Sequence, residues 1–235
     1  MDNRRNGQNG ERGKFIVIEG IDGAGKTTQL GLLKDWLENE YGKSVETLDF
    51  PQYGEFWGKL AGRFLNGEFG ELDQVSPYLA ALPYFLDQAS RAGKIKTALD
   101  SGKWVLSNRY LSSSLIHQTS RITGPQAKAD FRAWLTEAAY THAGLYKEDA
   151  VIALYVDPAV SIENARKAHD RKAAAYAKDR DIAEENFQHF IDTAAEVLKA
   201  CELFAHWRLV DCMTDSSPKM LMPIDEVQQR VRAVI

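Results

Sequence analysis

The clearest chemistry in this chain lies in one short segment. Gly20-Ile21-Asp22-Gly23-Ala24-Gly25-Lys26-Thr27 fits the pattern GxxxxGK[ST], a loop whose backbone N–H groups turn inward onto phosphate oxygens. Its glycines permit the tight curl. A helix that opens at its end adds partial positive charge. Lys26 then reaches the β- and γ-phosphates of a nucleoside triphosphate, and Thr27 offers its hydroxyl to Mg²⁺. Asp22 is the odd member. A carboxylate beside a triphosphate is costly unless it faces a sugar hydroxyl or a cation.

A second concentration of charge lies downstream. Arg166, Lys167, Arg171, Lys172, Lys178 and Arg180 fall close together, opposed locally by Asp170 and Asp179. Such a segment suits a lid that closes over a triphosphate, brings a cation to it and excludes water. The competing reading is a solvated helix face. The formal net charge is −4, which argues against duplex nucleic acid or an anionic membrane as the main partner. The two cysteines, Cys201 and Cys212, have neither zinc spacing nor a CxxC pattern, which fits reduced thiols in a cytoplasmic protein. No apolar run approaches the ~20 residues of a membrane span.

The elements that position these groups alternate. Phe15–Glu19 is apolar without period-two alternation and predicts a strand buried on both faces. Gln29–Glu40 predicts a helix stopped by Gly42, and Val45–Phe50 a second strand. Residues 54–101 are mostly helical. Trp104–Ser107 predicts a third strand, Gln126–His142 a helix, Val151–Val156 a strand, and 162–200 a long helical stretch. Trp207–Val210 and Ile224–Val234 close the series as strand and helix. Strands alternating with helices imply an α/β fold: a parallel sheet of about five strands with helices on both faces. The polar segment 1–13 reads as a disordered tail, and 14–235 as one domain. Strand order is not legible from the pattern.

From Phe15 to Gln29 the chain resembles the thymidylate kinase family, and further matches follow in that family's order. They are Phe50-Pro51-Gln52-Tyr53-Gly54, Leu65–Gly70, Tyr84–Gln88, and Asn108-Arg109-Tyr110 with Ser113 and Gln118, then the Arg166–Phe187 stretch that resembles its lid. The resemblance implies a P-loop NTPase-type fold and transfer of the γ-phosphate of ATP to dTMP, giving dTDP with the help of Mg²⁺. It implies that the loop from Gly20 through Thr28 holds ATP, with Arg171 or Arg180 of the lid as an added cation. Arg109 bridges the two phosphates, a bidentate task suited to guanidinium. Asp22 holds the acceptor 3′-hydroxyl. Phe50 and Tyr84 line the base pocket, Pro51 and Tyr53 belong to the same substrate-binding set, and Ser113, Ser114, His117 and Gln118 touch the acceptor nucleotide. His117 stands where the family has tyrosine. A homodimer is implied in the same way.

Two positions depart from the family pattern. Asn108 stands where Asp is usual near Mg²⁺, keeping an acceptor oxygen without the charge. Gln88 stands where Arg is usual against the base, and its amide can donate or accept. Arg91, one turn on, is a possible substitute. These departures leave two alternatives open: a kinase of another pyrimidine nucleoside monophosphate, and a weakly catalytic nucleotide-binding homologue.

Overall fold

The computed structural model describes residues 12–173, 186–214 and 217–235. Five strands form one parallel sheet: β1 (Phe15–Glu19), β2 (Val45–Asp49), β3 (Trp104–Asn108), β4 (Ala150–Tyr155) and β5 (Trp207–Asp211), in the order β2-β3-β1-β4-β5. β1 is central, in register with β3 on one side and β4 on the other. All five of its residues are buried, whereas edge strand β2 is largely half-buried or exposed. A central parallel strand is covered on both faces, so a continuous apolar run is what it requires.

Alternate side chains of the strands feed two separate cores. Phe15, Val17, Val105, Val151 and Ala153 pack against α4 (Ala92–Asp100), α5 (Leu111–His117), α6 (Pro125–Thr136) and α8 (Phe187–Leu203). Ile16, Ile18, Leu106, Ile152 and Leu154 pack on the opposite face, against Leu33 and Leu37 of α1 (Lys26–Asn39) and Val227 and Val231 of α9 (Ile224–Ala233). The period-two alternation of the pleat sorts the residues into these layers.

The parallel sheet and its strand positions agree with the sequence pattern, to within a residue at most ends. The differences have local causes. The helical region 54–101 divides into α2 (Phe56–Leu65), α3 (Pro77–Ala89) and α4, broken at Gly67, Gly70 and Ser90–Arg91. The predicted helix 126–142 ends as a π-helical turn over Glu137–His142. The predicted stretch 162–200 comprises α7 (Pro158–Ala173) and α8, and residues 174–185 lie outside the described residues. Several elements went unpredicted. They are α5, too short for periodicity, the 3₁₀ turn Thr119–Arg121 after it, and a hairpin of β6 (Met213–Thr214) and β7 (Ser217–Leu221). Residues 1–11 of the expected tail lie outside the described residues. Arg12 pairs with Asp149 at 3.3 Å, and Gly13 N–H donates to Leu99 O at 3.0 Å. Both cysteines are free, and burial raises their thiols, Cys201 to about 11 and Cys212 to about 12. Among the described residues no helix is long and apolar enough to cross a membrane.

One close approach governs the wall of the cleft. Helix α2 crosses the loop after β2 at Gly58, where a Cβ would stand 1.9 Å from Gln52 O. That loop is tied down from its other side: Gln52 N–H donates to Asp87 Oδ2 at 2.8 Å, and Arg91 Nε donates to Gln52 Oε1 at 2.8 Å. The backbone therefore has little room to retreat. Gly58→Ala is expected to destabilise the fold by about 1–3 kcal/mol, the usual cost of overpacking. A urea midpoint unchanged from that of the parent would show that α2 does not press on this loop.

Candidate active site

The phosphate loop leaves the carboxyl end of β1, where ligands of open α/β sheets gather. Gly20, Gly23 and Gly25 all have positive φ (149°, 84° and 85°). At Gly23 a Cβ would meet Ser161 O at 2.1 Å, so this turn tolerates no side chain. Ser161 and Asn164 of α7 brace the loop from behind: Ser161 Oγ donates to Asp22 O at 2.6 Å, and Asn164 Nδ2 donates to Gly23 O at 3.4 Å. Lys26 Nζ donates to the carbonyls of Gly20 and Ile21, each at 3.0 Å, and stands 3.4 Å from Asp22 Oδ1.

Arg109 enters from the neighbouring strand. It follows β3 with φ 64°, and among the described residues it is the non-glycine with left-handed backbone. That conformation costs about 1–3 kcal/mol and persists where surroundings over-determine it. Here its N–H donates to Ile18 O at 3.1 Å, and Ser107 Oγ donates to its carbonyl at 2.6 Å. Its guanidinium donates to Asp22 Oδ1, to Glu19 Oε1 at 3.3 Å, to Ser113 Oγ at 3.2 Å and toward His117 Nε2 at 3.1 Å. Two cations, Lys26 and Arg109, thus converge on a single oxygen, Asp22 Oδ1.

Glu19 underlies this arrangement. It is fully buried and accepts from Gly20 N–H, Ser112 Oγ and Ser113 Oγ as well as Arg109. The serine run at the start of α5 therefore serves Glu19. Among the described residues no side chain caps α5. Burial pushes the Asp22 carboxyl up, but the Arg109 and Lys26 charges outweigh it and hold the group well below the usual carboxylate range. Burial and the neighbouring Arg109 lower Lys26. Burial lowers Arg109, but Asp22 and Glu19 outweigh it and raise the guanidinium.

A cavity of about 570 Å³ joins the phosphate loop to the loop after β2. Asp22, Gly23, Gly25, Lys26, Thr27 and Thr28 form one end of its wall. Phe50, Pro51, Tyr53, Tyr84 and Gln88 form the other, and Asn108, Arg109, Ser113, Ser114, His117 and Gln118 lie along the wall as well. The sequence had gathered these residues from distant segments. Gly20, Ile21 and Ala24 do not line the cavity: Ile21 is buried against Ile162 and Phe190, and Gly20 backs onto Leu154. Their contribution is to shape the loop. Arg91 is no substitute for a base-contacting arginine, because it is turned away to Gln52 and, at 2.7 Å, to Glu55. Arg180 lies outside the described residues, and for Arg171 they give the backbone within α7.

Several cavity residues escaped sequence reading, Asp49 and His189 among them. Asp49, at the end of β2, accepts from Asn108 Nδ2 at 2.8 Å. His189, from α8, meets His117 at 3.3 Å. Asp49 directly precedes Phe50-Pro51 and could have been suspected. His189 had no local signal, because 72 residues separate it from His117.

A five-stranded parallel sheet whose central strand runs into a phosphate loop, with an arginine just after the adjoining strand lining the same cavity, defines a P-loop phosphotransferase. Comparison with known proteins narrows the class. The family model described as thymidylate kinase matches residues 18–210, and the chain belongs to that family. It is 31% identical over 185 residues to the thymidylate kinase of Bifidobacterium longum (strain DJO10A), covering 78% of this chain and 84% of that protein. The match to the probable thymidylate kinase of Thermococcus kodakarensis is 43% over 115 residues, or 46% of this chain and 54% of the archaeal protein. The solved thymidylate kinase of Candida albicans shares the fold, with a TM-score of 0.68 at 22% identity over 95% of this chain and 91% of that one.

Both histidines beside the site are shifted down. Burial lowers His189 to about 4, with Arg121 adding to it and Asp22 and Asp192 opposing. Burial, Arg109 and His189 lower His117, against Asp22, while Lys26 adds to the lowering. A folded-state pKa below the unfolded value means that the unfolded chain takes up the proton first. Stability is therefore full above about pH 6.5 and falls as pH drops toward 4. Between pH 7 and 5 His189 alone is expected to remove about 2 kcal/mol, and His117 adds in the same sense. Chemical denaturation at the two pH values measures the loss, and an equal free energy at both would contradict it.

Proposed function

We propose that this chain transfers the γ-phosphate of ATP to dTMP, giving ADP and dTDP. One observation carries the reading: a single cavity runs from Lys26 and the phosphate loop, past Arg109, to an aromatic pocket of Phe50 and Tyr84. Such a cavity lets two nucleotides meet phosphate to phosphate. ATP places its phosphates on the loop N–H groups, and its β- and γ-oxygens take up Lys26. The monophosphate lays its base between Phe50 and Tyr84. Tyr84, edge-on to Phe64 with ring centroids 6.3 Å apart, presents its face for stacking. Arg109 stands between donor and acceptor phosphates. It neutralises charge on the transferring group with donors already oriented before the reaction begins. The phosphoryl oxygens compete with Asp22 for both cations, and the carboxylate so released accepts from the acceptor 3′-hydroxyl.

Gln88 supports recognition of a pyrimidine edge. It is buried, and among the described residues its Oε1 has no hydrogen-bond partner. An amide in that position reads the N3–H and carbonyl edge of thymine, and reads uracil equally well. The alternative of a different pyrimidine acceptor rests on this residue.

Mg²⁺ fits the groups present. Asn108 Oδ1 is buried and, among the described residues, without a partner. The Asp49 carboxylate lies beside the same amide, and Thr27 offers a hydroxyl on the cavity wall. Thr27 and Asn108 would hold the ion, which when bound offsets charge on the β- and γ-phosphates. The reading includes a cytoplasmic homodimer with residues 14–235 acting as one domain, and Arg171 or Arg180 as a further cation from the lid. Family resemblance supports these points.

ADP release with ATP and Mg²⁺ against dTMP, dUMP, dCMP, dGMP and UMP tests the proposal. Turnover is expected with dTMP, and loss of it on chelating the metal. Silence across the panel with ATP still bound would refute the activity, and turnover confined to another acceptor would move the specificity. Arg109→Ala is expected to lower kcat by about 10²–10³, the usual consequence of losing one preorganised donor. Near-parental turnover would remove Arg109 from the mechanism.

A further inference from the structure

Behind Arg109 lies a line of hydrogen bonds that no phosphate chemistry requires. Arg109 Nη1 approaches His117 Nε2 at 3.1 Å. His117 Nδ1 approaches His189 Nε2 at 3.3 Å. His189 Nδ1 approaches Ser120 Oγ at 3.3 Å. Ser120 Oγ donates to His117 O at 2.8 Å and receives Thr193 Oγ1 at 3.2 Å. These residues come from the turn after β3, from α5 and the single 3₁₀ turn that follows it (Thr119–Arg121), and from α8.

The direction of every bond in this line is determined from its ends. A guanidinium has donors and no acceptor, so His117 Nε2 must accept. The proton of a neutral His117 then sits on Nδ1 and donates to His189 Nε2. That fixes the His189 proton on Nδ1, where it donates to Ser120 Oγ. Ser120 spends its own proton on the His117 carbonyl, so its oxygen lone pairs are free to accept from His189 and Thr193. One assignment satisfies both rings, and it requires both to be neutral; the two hydrogens of Nη1 are shared among His117, Glu19 and Ser113. A proton added to either ring turns an acceptor into a donor facing another donor. Burial works in the same sense, since His189 is 7% exposed.

We propose that His189 is a positioning residue for the phosphoryl-transfer step: through His117 it holds the Arg109 guanidinium in register over the phosphate loop and makes that register depend on the seating of α8. The proposal rests on the kinase reading for its catalytic consequence, but not for the relay itself. Glu19 and Asp22 bind the guanidinium by charge, which tolerates rotation. The His117 ring supplies a directional acceptor on Nη1 that carries no charge of its own. His189 touches none of the guanidinium atoms and acts by fixing the tautomer and ring plane of His117, as a carbonyl or carboxylate does behind many functional histidines.

Imidazole ¹H–¹⁵N long-range spectra of the free full chain at pH 7 test the relay without any substrate. Two neutral rings are expected, each with its proton on Nδ1. A charged ring, or an Nε2–H tautomer at either position, overturns the proposal whatever the enzyme phosphorylates. The guanidinium resonances of Arg109 give a second reading. They are expected to be resolved in the parent and in His189→Gln, whose amide oxygen retains an acceptor toward His117. In His189→Leu they are expected to average. If His189→Leu does not fold, Ser120→Ala serves in its place: it removes the acceptor that fixes the His189 proton and should broaden the same signals. In turnover assays His189→Leu is expected to lose about 10- to 100-fold in kcat, the scale of an ångström-sized misplacement, with the KM for ATP little changed, and His189→Gln to restore most of the rate. Arg109 signals unchanged in both His189→Leu and Ser120→Ala refute the positioning role, as does parental kcat in a folded His189→Leu. Silence of the parent toward every nucleotide would refute the kinase reading, while the spectra would still decide the relay.

Discussion

A fully buried carboxylate, Glu19, sets the geometry of the whole cleft. A charge removed from water is tolerated only where partners surround it, and stripping those partners away costs several kcal/mol. Glu19 meets that demand with Gly20 N–H, Ser112, Ser113 and Arg109. The four partners come from three functional parts: the phosphate loop, the first turn of α5, and the strained residue after β3. Satisfying one buried charge therefore fixes three segments against each other. It also fixes them at the carboxyl end of the central strand.

Above Glu19 the electrostatics are a balance of opposites held close. Lys26 and Arg109 share Asp22 Oδ1, and each cation is kept from the other by a carboxylate. The two histidines next to this cluster stay neutral. A further positive charge at His117 would face Arg109 directly, in a region with little water to screen it. Neutral imidazole adds directionality where added charge would only repel. The strained backbone of Arg109 belongs to the same pattern: its neighbours compensate an unfavourable conformation and so hold the guanidinium where phosphates meet.

The pair Asp49–Asn108 shows how a departure from a family pattern is absorbed. Asn108 lacks the charge that the family usually places there, yet Asp49, directly across the β2–β3 ladder, brings a carboxylate to the same amide. A negative charge remains at this end of the cavity, moved by one strand. Sequence comparison position by position registers this as a loss, because it does not look across the ladder.

The sequence by itself determined the parallel α/β architecture and one end of the site. An unbroken apolar run such as Phe15–Ile18 is acceptable only to a strand covered on both faces, and glycines at fixed spacing before Lys26 leave the backbone one compact way to turn. Arg109, Phe50, Tyr84 and Gln88 were legible as chemistry by resemblance, since their residue types stand in the order of a known family. The tertiary structure decided what those residues face. Strand order put β3 beside β1 and so brought Arg109 to Glu19 and Asp22, 90 and 87 residues away. It turned the serines of α5 inward to a buried carboxylate, sent Arg91 away from the base pocket, and joined His117 to His189. Periodicity and motif report on neighbours within a few residues. Contacts made by packing one helix against another over a sheet depend on which layers meet, and no local pattern encodes that.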